Sequence, residues 1–110
     1  MPARVRTRRQ FARLARTSRR GRSGPLAIHY CEAVDSSEEV AAAFAIPTTV
    51  GSAVVRNQIR RRLRAALDER SEHLPDGLYL IRCEKLTKDL SYDQLCDHLD
   101  RALRAIHESA

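Results

Sequence analysis

Between Ser52 and Leu67 the chain carries five arginines, at 56, 60, 61, 62 and 64, and not one acid. Val55, Ile59, Leu63, Ala66 and Leu67 recur among them at spacings of three and four, which predicts a helix from an N-cap at Ser52 to about Asp68. Arg56, Asn57, Arg60, Arg61 and Arg64 fall on the other side of that helix, with Arg62 near the apolar edge. One face must be covered by the rest of the fold, and the other must meet water or a polyanion. Guanidinium groups crowded on one face repel each other by about a few tenths of a kcal/mol per close pair. A helix built only for solubility would interleave Glu with Arg at i,i+4, and this one has no acid before Asp68. Phosphates would neutralise it, because each guanidinium can span two phosphate oxygens and Asn57 can bond a 2′-hydroxyl or a base edge.

The wider charge pattern agrees. Residues 1–24 hold nine Arg and no acid, and eighteen of the twenty basic residues are Arg. Outside the two Arg stretches the chain has six basic residues against fourteen acids, so the net +6 has a direction that favours polyanion recognition. At 110 residues the chain is one domain, 1–110, able to bury an aliphatic core, with residues 1–7 expected as a flexible basic arm. No apolar run is long enough for a membrane span, and no apolar stretch follows the basic N-terminus as in a secretory signal. Cys31, Cys83 and Cys96 are odd in number and lack CxxC spacing. Reduced thiols in a cytoplasmic protein are therefore expected.

Thr7 and Gln10 form a capping box ahead of Phe11, Leu14 and Ala15, predicting a short helix over about 8–16. Residues 17–25, with two Gly, one Pro and three Arg, read as a loop. Leu26–Val34 alternates and reads as a strand. Val40–Ile46 reads as a second strand with Val40, Ala42, Phe44 and Ile46 on one face and only Ala on the other. Leu78–Cys83 gives a third strand, and a second capping box, Ser91 to Gln94, opens a final helix with Leu95, Cys96, Leu99, Ala102, Leu103 and Ile106 on one side. The order α, β, β, α, β, α implies a two-layer α/β sandwich, helices packed on one face of a mixed sheet, with room for a further short strand within 35–50.

Enzyme templates find no match. Cys96 and His98 are the one close metal-type pair, and on a helix they do not share a face. No GxSxG, GxxxxGK[ST] or GxGxxG occurs, and no catalytic constellation is expected in the chain.

The stretch Gly51, Ser52, Ala53-Val54, Arg56-Asn57, Arg60-Arg61 and Arg64 resembles the protein component of bacterial ribonuclease P. The resemblance runs over nearly the whole chain, including the basic lead-in to Phe11, the strand at 78–83, the Leu90-Ser91-Tyr92 helix start and the last helix. It implies an α/β sandwich with a left-handed crossover between two parallel strands. It also implies a protein subunit that binds a catalytic RNA subunit and the 5′ leader of precursor tRNA. In that family the RNA, with Mg²⁺, performs the hydrolysis; no cofactor is expected in the protein, and neither membrane nor DNA is an expected partner. Carried over residue by residue, Arg56, Asn57, Arg60, Arg61 and Arg64 would contact RNA. Phe11, Tyr30, Arg8, Arg9 and Arg13 would line the leader cleft, with His29 in place of Tyr30 if the register slips by one. Pro47-Thr48-Thr49, Ala15 and Cys83-Glu84 depart from the usual basic, aromatic and Ala-Arg residues, and the Arg-rich 19–22 segment is the candidate to compensate. A ribosomal or RNA-assembly protein shares this composition, whereas a helix-turn-helix DNA regulator would need a helix just upstream of 47–51, where a strand is expected.

Overall fold

The computed structural model describes residues 3–17 and 19–108, so Met1 and Pro2 of the expected basic arm lie outside the described residues. Strands β1 (Ala3–Arg4), β2 (Arg19–Ser23), β3 (Leu26–Glu32), β4 (Val40–Ala45) and β5 (Gly77–Cys83) form one sheet in the order β1-β4-β5-β3-β2. Helices α1 (Arg8–Thr17), α2 (Ala53–Arg70) and α3 (Tyr92–Glu108) pack against it. β4 runs parallel to both β1 and β5, and β3 is antiparallel to both β5 and β2. The parallel neighbours β4 and β5 are joined through α2.

Local signals start the helices where the sequence puts them. The Gln10 N–H donates to Thr7 Oγ1 at 3.1 Å, and Gln10 Oε1 accepts in return from the Thr7 N–H at 3.1 Å. Ser91 and Gln94 repeat the exchange at 2.9 and 3.1 Å ahead of α3. Ser52 caps α2 by accepting from the Val55 N–H at 3.3 Å.

The main core lies on one sheet face. Leu26, Ile28 and Tyr30 of β3, Val40 and Ala42 of β4, and Tyr79, Ile81 and Cys83 of β5 meet the apolar sides of α2 and α3. A bidentate pair ties those helices together, with Arg70 Nε 2.5 Å and Nη2 3.1 Å from the two Asp100 carboxylate oxygens.

Three features differ from the sequence expectation. α1 is not with the other helices: Leu14, with Val5, covers Cys31, Ala41 and Leu78 on the opposite face. The all-Ala side of β4 explains this, since small side chains give a helix a close seat. Residues 19–23, expected as loop, pair with β3 from Arg19↔Tyr30 to Ser23↔Leu26 around the Gly24-Pro25 turn. Ala3 and Arg4, expected within the arm, pair with Ala41 and Ala42, and the Val5 N–H donates to the Ala42 carbonyl at 3.1 Å.

Candidate nucleic-acid interface

The outer side of α2 is assembled as its spacing predicts. Ile59, Leu63, Ala66 and Leu67 are buried beneath it. Arg56 is steadied by donating from Nε to the Gly51 carbonyl at 3.1 Å, and Arg60 donates to Asn57 Oδ1 at 2.8 Å. Arg64 sits over the Phe44 ring, 5.2 Å from its centroid, an arrangement that orients a guanidinium without neutralising it. Arg61 and Asn57 are exposed. Arg62, at the apolar edge, donates to the Leu90 carbonyl at 3.4 Å and so belongs to the packing rather than to the outer face.

A second basic surface lies on the sheet face that α1 only partly covers. α1 closes the end carrying Cys31, Ala41 and Leu78. Beyond it lie two further cross-strand rows, the first partly covered because Leu80 and Ala43 pack against the α1 cluster. Arg20, His29, Leu80 and Ala43 stand side by side across β2, β3, β5 and β4. Arg22, Ala27, Arg82 and Ala45 form the next row, about 6.8 Å further along the strands. A cleft of about 780 Å³ opens over the second row and over Arg20 and His29 of the first, closed at its far wall by Ile46, Pro47 and Thr49 and by Cys83, Glu84 and Lys85. Its floor is small and apolar and its rim is basic. That combination lets the flat face of a base lie down while phosphates meet guanidinium groups. Burial, then the charges of Arg20 and Arg82, hold the His29 imidazole below its ordinary range, which leaves it neutral at pH 7.

Phe11 is 43% exposed although it neighbours the buried Leu14. Arg13 projects from the flank of α1 about 160° away and is anchored, donating to Glu38 Oε1 at 2.9 Å and to the Glu32 carbonyl at 2.7 Å. Both acceptors lie at or after the end of β3, and Phe11, with exposed Ala15 one turn on, lies on the other flank of α1, outside the residues that line the cleft. Arg8 is exposed about 60° from Phe11 around the helix, and Arg9 is exposed on the far side. Arg13 is thereby corrected from cleft residue to anchor of α1, its charge committed to Glu38.

Tyr30 also needs correcting. It is 2% exposed on the α2–α3 side, where its hydroxyl donates to the Asp76 carbonyl at 2.7 Å and its ring lies 4.8 Å from those of Tyr79 and His107. A buried ring on the other face cannot stack on a base in the cleft; the alternation of β3 gives that position to His29. Sequence reasoning also missed Arg82 and Lys85, and it placed Arg20 and Arg22 on a loop. Period-two spacing of Arg20 and Arg22 across from Ala27 and His29 was the available signal.

Among the described residues no three His, Cys, Asp or Glu side chains group as a metal site, and no helix is long and apolar enough to cross a membrane. His98 instead pairs with Ser23, Nδ1 to Oγ at 2.8 Å, and burial pushes the Cys83 thiol up to about 11.

The comparisons with known proteins agree with one another. The Ribonuclease P family model matches residues 1–107. Ribonuclease P protein components from Streptomyces bikiniensis and Streptomyces avermitilis are 34% and 33% identical to the chain over 111 residues, covering 94% of it and 90% of each relative. The fold matches the RNase P protein of Staphylococcus aureus with a TM-score of 0.83 over 97% of this chain and 100% of that one, at 16% identity. That of Thermotoga maritima matches with a TM-score of 0.75 over 87% and 90%, also at 16% identity.

Proposed function

The chain belongs to the family of ribonuclease P protein components, and from that premise we propose that its two basic surfaces bind two different RNAs. As the protein subunit of ribonuclease P it is an RNA-binding part of a tRNA-processing endoribonuclease. The α2 face, with Arg56, Asn57, Arg60, Arg61 and Arg64, docks on the RNase P RNA. The sheet cleft, with His29, Arg20 and Arg82, holds the single-stranded 5′ leader of precursor tRNA, and Phe11 of α1, the helix on the same sheet face, stacks on it. Hydrolysis belongs to the RNA subunit with its Mg²⁺, and this chain contributes binding and orientation.

The observation that carries this reading is the pair of basic cross-strand rows around Ala27 and Ala45, on the same sheet face as α1 with its half-exposed Phe11. Such a surface suits an unpaired strand, which has bases free to stack, and does not suit a duplex. The α2 face is a convex helix with its arginines steadied by Gly51, Asn57 and Phe44, suited to the backbone of a folded RNA. The test is reconstitution at low Mg²⁺. Protein plus a bacterial RNase P RNA should cleave precursor tRNA at the 5′ end of the mature sequence under conditions where RNA alone is slow. Metal-dependent cleavage by the RNA-free protein would overturn the assignment of chemistry.

A further inference from the structure

Among the described residues Glu84 is the single acid lining the cleft, set among Arg20, Arg22, Arg82 and Lys85. Its carboxylate is ion-paired with Arg22. The backbone fixes this meeting: the Glu84 N–H donates to the Pro25 carbonyl at 2.9 Å, tying the end of β5 to the turn of the hairpin that carries Arg22. The two side chains are 60% and 56% exposed, so the pair adds little stability and can open without disturbing the fold. What it changes is the charge that an incoming phosphate meets at that end of the cleft.

We propose that Glu84 sets the affinity of the cleft for the leader, as an internal counter-ion that occupies Arg22 until a phosphate of a strand lying along the cleft displaces it. This rests on the reading that the cleft holds the leader. A strand already engaged by Arg20 and Arg82 presents its next phosphate to Arg22 at high effective concentration, and that phosphate can compete with the carboxylate. An isolated anion, or a strand that stops short of the Arg22 row, has no such advantage. Leader affinity is then moderated by an unfavourable element as well as raised by attractive ones. An Arg22 already neutralised from within also releases no salt ion when RNA arrives, so the pair flattens the salt dependence of binding.

The experiment measures binding of leader-bearing precursor tRNA and of leaderless tRNA to the holoenzyme across a salt series. The proteins are the unaltered chain, Glu84→Gln, Arg22→Gln and the double variant. Glu72→Gln, an exposed acid in the turn after α2, controls for net charge. Glu84→Gln should tighten the leader-bearing complex by about two- to fivefold and steepen its salt slope by about 0.7. The leaderless complex should not change, and the double variant should bind like Arg22→Gln alone. An unchanged affinity, an equal gain from Glu72→Gln, or a gain that survives in the Arg22→Gln background would overturn the proposal. Arg20→Ala and Arg82→Ala separate the two levels. If they leave leader binding intact, the cleft reading fails; if they weaken it while Glu84→Gln does nothing, only the role of Glu84 fails.

Discussion

A single step along β3 separates Tyr30 from His29, and in a strand one step is a change of face. Family resemblance puts an aromatic at this point of the cleft and does not say which of the two fills it. The alternation did: Tyr30 keeps company with Leu26 and Ile28, both fully buried against α2 and α3. The pair makes a clean test. Tyr30→Phe should cost about 1 kcal/mol of stability through the lost bond to Asp76 and leave leader binding unchanged. His29→Ala and Phe11→Ala should each weaken leader-bearing substrate by roughly 1–3 kcal/mol, spare leaderless tRNA and leave the salt slope nearly the same. A loss of leader binding in Tyr30→Phe, with the fold intact by circular dichroism, would restore the rejected register.

At the scale of elements, the helices were legible and two of the strands were not. Capping boxes and apolar spacing are local signals, and α1, α2 and α3 begin where those signals stand. β2 carries three arginines, a glycine and a serine, a composition that has no strand signal of its own; pairing with β3 and docking on α3 make it a strand. Gly21 is the residue that permits the docking, since a Cβ there would lie 2.2 Å from the Ala102 carbonyl oxygen. Gly21→Val should therefore destabilise by about 1–3 kcal/mol or more, read as a lowered denaturant midpoint. It should also displace Arg20 and Arg22, weakening leader binding beyond the loss of stability. α3 brings a pH dependence. His107, beside Tyr79 and Tyr30, is held below its ordinary range first by burial and then by the charge of Arg19. The folded chain keeps this imidazole neutral, while the unfolded chain protonates it near pH 6.5. Its contribution is complete above that pH and is lost as the pH falls from about 6.5 toward the lower folded value. His29 has the same sign. Unfolding midpoints should drop between pH 7.5 and 5.5, and His107→Gln should reduce the drop; a flat profile would contradict the assignment.

On the scale of the whole molecule, segregated arginines were visible in the sequence, but their division between two faces was not. The α2 stretch could be placed because a helix carries its own geometry. The N-terminal arginines could not, because their positions depend on a sheet whose strands come from four separate parts of the chain. Folded, one N-terminal arginine anchors α1, two line the cleft, and the connection from Ala45 to Gly51 runs from the cleft wall to the start of α2. Two surfaces thus meet along one short segment while facing different ways. The claim that they bind different RNAs is tested most directly by a crossed titration with paired variants. Affinity for the RNase P RNA, and the preference for leader-bearing over leaderless substrate, are measured for Arg60→Ala/Arg64→Ala and for Arg20→Ala/Arg82→Ala. The first pair should lose RNA-subunit affinity, about 1–2 kcal/mol per arginine at moderate salt, with a shallower salt slope and an unchanged leader preference. The second pair should assemble normally and lose the leader preference. Parallel losses in both quantities for both pairs would show one shared polyanion surface and contradict the division.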